Sequence, residues 1–212
     1  MTFSENAYRR DDKSSRNGEE KMGTREIISE QALHIFSERG FERATIEDIA
    51  EQAGIAKGTF YYHFKSKTEL FEFLLQQGIN MLLENVNIAL QKGGTVEERL
   101  EAVINELLTF FQNYQEFCRV IFSEILGPAN PARLTYIFKL ARQKYLRSVI
   151  ELIKEGQQQG IIRNINPHTA LQAILGTIST IAMSEIFHGE HFDKMKVSSQ
   201  IREILFRGIL TS

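Results

Sequence analysis

The residues with the clearest chemistry lie in one short stretch, residues 54–67, which is rich in hydrogen-bond donors. It contains Lys57, Lys65 and Lys67 and has no acidic residue. Ammonium and hydroxyl groups donate hydrogen bonds to phosphate oxygens and to base edges in a duplex groove. A threonine, two tyrosines and a histidine add further polar tips to the same stretch. The stretch therefore predicts a surface that binds nucleic acid.

Each polar residue near this stretch is assigned to one kind of contact. Lys57, Gly58 and Thr59 are predicted to enter the groove, because a flexible cation, a missing side chain and a hydroxyl suit close approach to bases. Tyr61 also belongs to the DNA-binding set, although its ring fits a groove contact and a buried position equally well. The backbone phosphates are assigned to five other residues: Thr45, Tyr62, His63, Lys65 and Lys67.

No pattern of catalysis or metal binding accompanies this stretch. The sequence has no glycine-rich phosphate loop, no nucleophile elbow and no pair of metal ligands at helical spacing. His188 and His191 share a polar loop with Glu190 and Asp193, which we interpret as a solvated connector because no third anchored ligand is evident. The single cysteine, Cys118, has apolar neighbours and is predicted to be a small buried residue. We expect neither an enzyme nor a cofactor.

Helices are predicted to position the donor-rich stretch. Apolar residues recur at helical spacing over residues 24–40, and Thr45 followed by Asp48 forms a capping box that opens a second, short helix. A glycine turn then leads to a third short helix. Phe60 and Phe64, four residues apart on that helix, are predicted to face the first two helices. Two short helices joined by a tight turn behind a supporting helix form a helix-turn-helix.

The rest of the chain is also helical in pattern, and about nine helices are predicted in total. The eighth opens with Asn166 as N-cap and Pro167 at the first helical position. The sequence therefore predicts an all-α protein with three parts. They are a disordered N-terminal arm over residues 1–21, a three-helix helix-turn-helix DNA-binding domain over residues 22–68, and a larger helical ligand-binding and dimerisation domain over residues 69–212.

The composition is that of an ordinary globular protein, with 42% hydrophobic residues, 25% charged residues and a net charge of -2. This weak net charge is unusual for a DNA-binding protein, but a local basic face can exist on a neutral molecule. No uninterrupted apolar stretch is long enough to span a membrane, and the polar N-terminus differs from a signal peptide. We predict a cytoplasmic protein without membrane contact.

Aromatic residues on the predicted fifth to seventh helices are candidates for an apolar ligand pocket, although ordinary core packing accounts for the same pattern. The pocket set comprises Phe110, Phe111, Tyr114, Phe117, Phe122, Glu124, Phe138 and Tyr145. Glu124 is either a buried counter-charge for a cationic ligand or an exposed edge residue beside Arg119. Such a pocket would bind a small hydrophobic or aromatic effector.

The eighth and ninth helices carry more apolar residues than one covered face needs. A symmetric four-helix contact between two copies would bury this surplus, and its two-fold axis would match a two-fold operator. The alternative is that these side chains form the core of one chain. The predicted dimer face comprises Leu171, Ile174, Leu175, Ile178, Ile181, Ile201 and Leu205.

Residues 24–72 resemble the DNA-binding domain of the tetracycline-repressor (TetR) family. The resemblance is strongest over the family's turn, recognition helix and start of the fourth helix, which match the run Gly54-Ile55-Ala56-Lys57-Gly58-Thr59-Phe60-Tyr61-Tyr62-His63-Phe64-Lys65-Ser66-Lys67. It implies nine or ten helices per subunit, a homodimer built largely by the last two helices, and a palindromic operator. Most members are repressors that a small molecule releases from DNA.

The leading hypothesis is a ligand-responsive transcriptional repressor. It would bind a palindromic operator in double-stranded DNA as a homodimer and be released by a small hydrophobic effector. The alternative is a dimeric, all-helical interaction module without sequence-specific DNA binding. That alternative predicts no protein–DNA complex even at low salt, where electrostatic attraction is strongest.

Overall fold

The structure is a computed structural model of the 212-residue chain. It describes residues 3, 23–127 and 131–209. Within this part, the side chains of residues 132, 134, 137–146 and 209 are not described. The predicted disordered arm therefore lies outside the described residues, with the exception of Phe3. Phe3 is buried, and its ring stacks on Phe117 with 5.0 Å between the centroids, so this residue does not belong to a disordered arm.

The described part of the chain is built from nine α-helices, which confirms the predicted fold class. They are α1 (Thr24–Arg39), α2 (Ile46–Gln52), α3 (Lys57–His63), α4 (Lys67–Gln91), α5 (Val96–Asn113), α6 (Gln115–Leu126), α7 (Pro131–Gln158), α8 (Pro167–His188) and α9 (Lys194–Ile209).

Local sequence signals fix the bounds of the short helices. The Thr45 hydroxyl accepts a hydrogen bond from the Asp48 backbone N–H at 3.1 Å, and the Asp48 carboxylate accepts one from the Thr45 backbone N–H at 3.0 Å. This reciprocal capping box opens α2. Gly54 has a φ of 65° in the turn between α2 and α3, a conformation that side chains with a Cβ rarely adopt. The turn therefore depends on glycine at this position.

The chain forms two compact units. The first contains Met1–Met81 and Glu116–Arg133, so α6 belongs with α1, α2, α3 and the first part of α4. Phe36, Phe60, Phe64 and Phe71 are fully buried in its core. This grouping follows packing, whereas the division between residues 68 and 69 rests on the sequence and stays a prediction.

The second unit contains Leu82–Gln115 and Leu134–Ser212. Within it, α5 lies against α8 and α9, and these two helices also contact each other. Leu100, Ile104 and Leu107 of α5 are fully buried in this core. The Ser198 hydroxyl of α9 donates a hydrogen bond of 2.6 Å to the side-chain oxygen of Asn105.

One described helix, α8, is long and apolar enough to cross a membrane by length and composition alone. Its most apolar 18-residue window has a mean hydropathy of 1.4, and 39% of that window is buried within the chain. A single helix of this kind is weak evidence for a membrane span, because core helices of globular proteins meet the same criterion. Among its large apolar side chains, Leu175 and Ile181 are half-buried and Phe187 is exposed.

Candidate nucleic-acid interface

Two phenylalanines fix the orientation of α3. Phe60 and Phe64 are 0% and 1% exposed, which confirms their predicted place in the core. They lie four residues apart and so share one face of the helix. Lys57 and Gly58, on other sides of α3, are exposed to solvent, and Thr59 is half-buried. The packing of α3 therefore presents its polar residues outward as a set.

The two tyrosines of α3 are both accessible. Tyr61 is 47% exposed and lies edge-on to Phe60, with 5.7 Å between the ring centroids. Tyr62 is 85% exposed and lies edge-on to the half-buried His63, at 5.1 Å. The sequence left open whether Tyr61 is buried or available for a groove contact, and in the structure its ring is accessible. Both rings are available at the same surface as Lys57.

Lys57 is held by an acidic residue of the neighbouring helix. Its ammonium group donates a hydrogen bond to the Glu47 carboxylate, and the side chains of both residues are more than half exposed. This hydrogen bond lowers the pKa of Glu47 and raises the pKa of Lys57. The type and position of Lys57 predicted a groove contact but did not indicate this partner, which lies ten positions away.

The Thr45 side chain is engaged in capping α2. Its hydroxyl donates a hydrogen bond of 2.6 Å to the Asp48 carboxylate and accepts one from the Asp48 backbone N–H. Hydrogen bonds from Thr45 hold the pKa of Asp48 below its ordinary value. Thr45 is exposed. Because its hydroxyl donates to Asp48, the predicted donation to a phosphate would require this hydroxyl hydrogen to leave Asp48.

The structure corrects the prediction for the Lys67 side chain. Its ammonium group donates hydrogen bonds to the backbone carbonyls of Phe41 (2.6 Å), Ala44 (2.6 Å) and Glu42 (3.3 Å). A lysine has three N–H donors, and three carbonyls use them all, so none remains for a phosphate. Burial lowers the pKa of Lys67. The side chain fastens the connection between α1 and α2 to the start of α4.

Lys65 keeps the position expected of a phosphate ligand. Its side chain is exposed, while its backbone N–H donates a hydrogen bond of 2.7 Å to the Glu69 carboxylate. The Ser66 hydroxyl accepts a hydrogen bond from the Glu69 backbone N–H at 3.1 Å and so caps the start of α4. The Lys65 ammonium group therefore remains a candidate for contact with the phosphates of the DNA backbone.

Arg133 is a structural residue that sequence analysis missed. It is 9% exposed, and its guanidinium group donates hydrogen bonds to Glu124 at 2.7 Å and to Glu42 at 2.6 Å. The same group lies 4.3 Å from the centroid of the Phe41 ring. The Glu124 side chain is 11% exposed and pairs with Arg133, so Glu124 is not an exposed edge residue, and its role as a counter-charge for a cationic ligand stays a prediction.

The predicted pocket residues divide between the two units. Phe110 is buried on α5 in the second unit, where Phe111 and Tyr114 are half-buried. Phe117 and Phe122 are buried on α6 in the first unit. The other two aromatic members of the set, Phe138 and Tyr145, lie outside the residues whose side chains are described. The aromatic pocket therefore stays a prediction.

The predicted dimer face is corrected. Its five buried members lie inside the core of their own chain: Leu171, Ile174, Ile178, Ile201 and Leu205. Leu175 and Ile181 are half-buried. The alternative, a core within one chain, is therefore right for most of this set. An apolar stripe at helical spacing has the same pattern whether its partner is another helix of the chain or a second copy.

Small residues occupy the outward side of α8 instead. Ala173, Gly176 and Thr180 are exposed, and no atom lies within 4 Å of the position that a Cβ on Gly176 would take. The hydroxyls of Thr177 and Thr180 donate to the carbonyls of Ala173 and Gly176, both at 2.8 Å. Their polar groups are thus satisfied within the helix, and the methyl groups remain available for packing. On α9, Ile204 is 68% exposed.

Three residues have side chains with possible reactive chemistry: Cys118, His188 and His191. Burial raises the pKa of the Cys118 thiol far above its ordinary value, as expected for a small buried residue. His188 is exposed, and the exposed His191 contacts the buried carboxylate of Glu185 at 3.0 Å. Among the residues that the structure describes, no cluster of three or more histidine, cysteine or acidic side chains is arranged to hold a metal.

Comparison with known proteins connects this geometry to a family. Residues 18–74 match the family model described as bacterial regulatory proteins of the tetR family. Residues 93–183 match the model of the tetracyclin repressor-like C-terminal domain. The chain belongs to the TetR family. As a TetR-family protein it is a DNA-binding transcriptional regulator and not an enzyme, and α2 and α3 are its helix-turn-helix.

Relatives cover nearly the whole TetR-family chain. The fatty acid metabolism regulator protein of Bacillus subtilis is 26% identical over 183 residues, which are 86% of this chain and 93% of that protein. The fatty acid degradation regulator FadR of Bacillus halodurans has a similar structure, with a TM-score of 0.78, 21% identity, and coverage of 90% of this chain and 98% of that one. FadR of Bacillus subtilis in complex with stearoyl-CoA gives a TM-score of 0.76 at 24% identity, over 86% of this chain and 98% of that one. At these identities the two structures establish the fold.

Proposed function

We propose that this TetR-family regulator is a homodimeric, ligand-responsive repressor that places α3 in the major groove of a palindromic operator. The observation that carries the proposal is the exposure of Lys57, Gly58 and Tyr61 on a helix whose other face is locked in the core by Phe60 and Phe64. A short helix anchored on one side and polar on the other suits insertion into a groove.

The polar residues on and around α3 are assigned to two kinds of DNA contact, with base edges and with phosphates. Lys57, Gly58 and Thr59 are proposed to contact base edges, and the open space around Gly58 allows a base or sugar to approach the backbone closely. Phosphate contacts are assigned to the exposed polar groups around α3: Thr45, Tyr62, His63 and Lys65. Lys67 is proposed to contribute its backbone N–H at the start of α4, where the helix dipole favours an anion.

The proposed dimer uses the outward face of α8 with Ile204 of α9. Exposed Ala173, Gly176 and Thr180 would let a partner helix approach closely, and the partner would cover apolar surface that the chain itself leaves open. Two copies related by a two-fold axis present two recognition helices. This symmetry is the reason to expect a palindromic operator.

The proposed effector is a small hydrophobic molecule, and fatty acyl-CoA thioesters are the first class to test. The support is that one relative is the fatty acid metabolism regulator protein of Bacillus subtilis and that the similar structure of FadR from Bacillus subtilis contains stearoyl-CoA. Such a ligand releases the repressor only if it binds the DNA-free conformation more tightly than the DNA-bound one. DNA and acyl thioesters are both cytoplasmic, in line with the proposed location of the protein.

Acyl-CoA can be tested by titrating it into the preformed protein–operator complex. Stearoyl-CoA is expected to lower operator affinity at concentrations that leave the protein folded and dimeric. Free coenzyme A is the matched control, because it carries the same charged nucleotide without the apolar chain. Equal effects of the two compounds would reject the hydrophobic chain as the recognised group.

The DNA contacts can be tested with Thr59→Ala and Lys65→Ala, measured on a selected operator and on random duplex DNA. Thr59→Ala should change sequence preference and leave random binding nearly unaltered. Lys65→Ala should weaken binding to both duplexes and reduce the slope of log affinity against log salt by about 0.9. Equal losses on both duplexes for both variants would reject the division into groove and phosphate residues. Absence of any complex at low salt would favour an interaction module.

A further inference from the structure

The helix-turn-helix carries an ion pair on its solvent side. Lys57, in the first turn of α3, is paired with Glu47, in the first turn of α2. Their side chains are 52% and 62% exposed. A carboxylate at this place lowers the positive charge of the surface that approaches DNA. Its presence is unexpected for a surface that gains affinity by neutralising phosphates.

The two members of this pair differ in the DNA groups that can satisfy them. Phosphate oxygens accept hydrogen bonds from lysine, but they repel a carboxylate and offer it no donor. Base edges offer groups for both, because guanine O6 and N7 accept from lysine and the cytosine N4 amino group donates to glutamate. When Lys57 contacts a phosphate, Glu47 therefore loses its partner and gains no new one. Suitable bases, in contrast, can provide a new partner for both Lys57 and Glu47.

We propose that Glu47 is a specificity-determining residue, which withholds Lys57 from phosphates on arbitrary sequences and releases it to base edges at the operator. This inference rests on the proposed function and concerns the same surface. Exposed ion pairs contribute little stability in water, so the pair opens readily when a better set of partners is present. Glu47 thus lowers random-DNA affinity more than operator affinity.

The Glu47 carboxylate is charged at neutral pH and therefore repels phosphate, because the ordinary glutamate pKa of 4.5 already lies far below 7 and the Lys57 hydrogen bond lowers it further. Lys57 is charged under the same conditions, because its ordinary pKa of 10.5 already lies well above 7 and the same hydrogen bond raises it further. Glu47 and phosphate can therefore compete for the charged Lys57 at the surface that is proposed to meet DNA.

The test compares Glu47→Gln with the matched control Glu51→Gln. Glu51 lies one turn further along α2 on the same face and is exposed, and no ion pair of its side chain is found in the described part of the chain. Both substitutions remove one negative charge from the same helix, and only the first frees Lys57. Affinity is measured for random duplex DNA and for the operator selected with the unaltered protein, over a range of salt concentrations.

Glu47→Gln is expected to bind random DNA about fivefold more tightly than Glu51→Gln, with a salt slope about 0.9 steeper. Its ratio of operator affinity to random affinity should fall by a similar factor. Adding Lys57→Met to Glu47→Gln should abolish the gain. Equal random affinities and equal ratios for Glu47→Gln and Glu51→Gln would overturn the inference while leaving operator binding intact. A protein without any selected operator would instead overturn the proposed function.

Discussion

At the scale of single residues, long cationic side chains have different tasks although they look alike in the sequence. Lys57 and Lys65 are exposed, whereas Lys67 is directed into a ring of backbone carbonyls and Arg133 is buried between two carboxylates. Residue type and position on a helix predict that a cation is present. They do not predict its acceptor when that acceptor lies far along the chain, as Glu42 does from Arg133.

Lys67 is expected to matter for stability rather than for phosphate binding. Lys67→Met keeps the apolar stem but leaves the carbonyls of Phe41 and Ala44 without their donor. The free energy of unfolding, measured with urea, should fall by about 2 kcal/mol. Lys65→Met is the matched control and should change it by less than about 0.5 kcal/mol. Unchanged stability with a flatter salt dependence for Lys67→Met would restore its predicted phosphate role.

Local signals in the sequence predict the site best. The capping box of Thr45 and Asp48, the turn at Gly54 and the inward placement of Phe60 are all present in the structure. Each depends on residues within one helical turn, where spacing determines geometry. The pairing of Glu47 with Lys57 spans two helices, so the angle between those helices had to be known first.

At the scale of elements, the packing of α4 against α6 depends on one missing side chain. The ring of Phe117 lies over Gly78, and a Cβ on Gly78 would stand 2.1 Å from the nearest ring atom. Gly78→Ala should therefore destabilise the protein by about 1–3 kcal/mol despite the better helix propensity of alanine. Urea unfolding provides the measurement. Gly58→Ala is the control, since nothing lies near its Cβ position and stability should be unchanged or higher.

The contact between α1 and the start of α6 predicts a weak dependence of stability on pH. A hydrogen bond with Glu116 at 2.8 Å, assisted by Glu38, raises the pKa of His34 above its ordinary value of 6.5. A raised folded-state pKa gives stability that is complete below pH 6.5 and is lost as pH rises through the higher value. Because His34 is partly exposed, the loss should be a few tenths of a kcal/mol.

This pH dependence can be isolated by comparing the unaltered protein with His34→Gln. The difference in unfolding free energy between the two should shrink as pH rises above 6.5. Glu116→Gln should have the same effect, because it removes the acceptor and leaves the histidine. A constant difference across this range would show that the contact between His34 and Glu116 does not contribute in solution.

At the scale of the whole molecule, association of two copies is expected to depend on the small residues of α8. Ala173→Arg would place a long charged side chain where a partner helix has to approach, without disturbing the core, since Ala173 is exposed. Sedimentation should show a monomer, and operator affinity should fall by at least about tenfold because two half-sites no longer bind together. Gln158→Arg, an exposed change on α7, should leave the dimer intact.

Sequence patterns do not indicate which face of α8 packs in the core and which face is available to a second copy. Hydropathy selects the most apolar stripe of α8, and the core of the same chain uses that stripe through Leu171, Ile174 and Ile178. The outward face consists of small residues, and its threonine hydroxyls donate to carbonyls of the same helix. The hydropathy of these residues does not mark them as part of an interface. The number and order of helices could be predicted from periodicity and caps, whereas the assignment of faces required the packed structure.

Selection from randomised duplex DNA shows whether α3 recognises a specific sequence. The purified protein is incubated with the pool at near-physiological salt, where non-specific attraction is suppressed, and the bound fraction is sequenced. Enrichment of a palindrome is expected, with a changed sequence preference for Thr59→Ala. A folded, dimeric protein that enriches no sequence would contradict the claim that α3 recognises DNA.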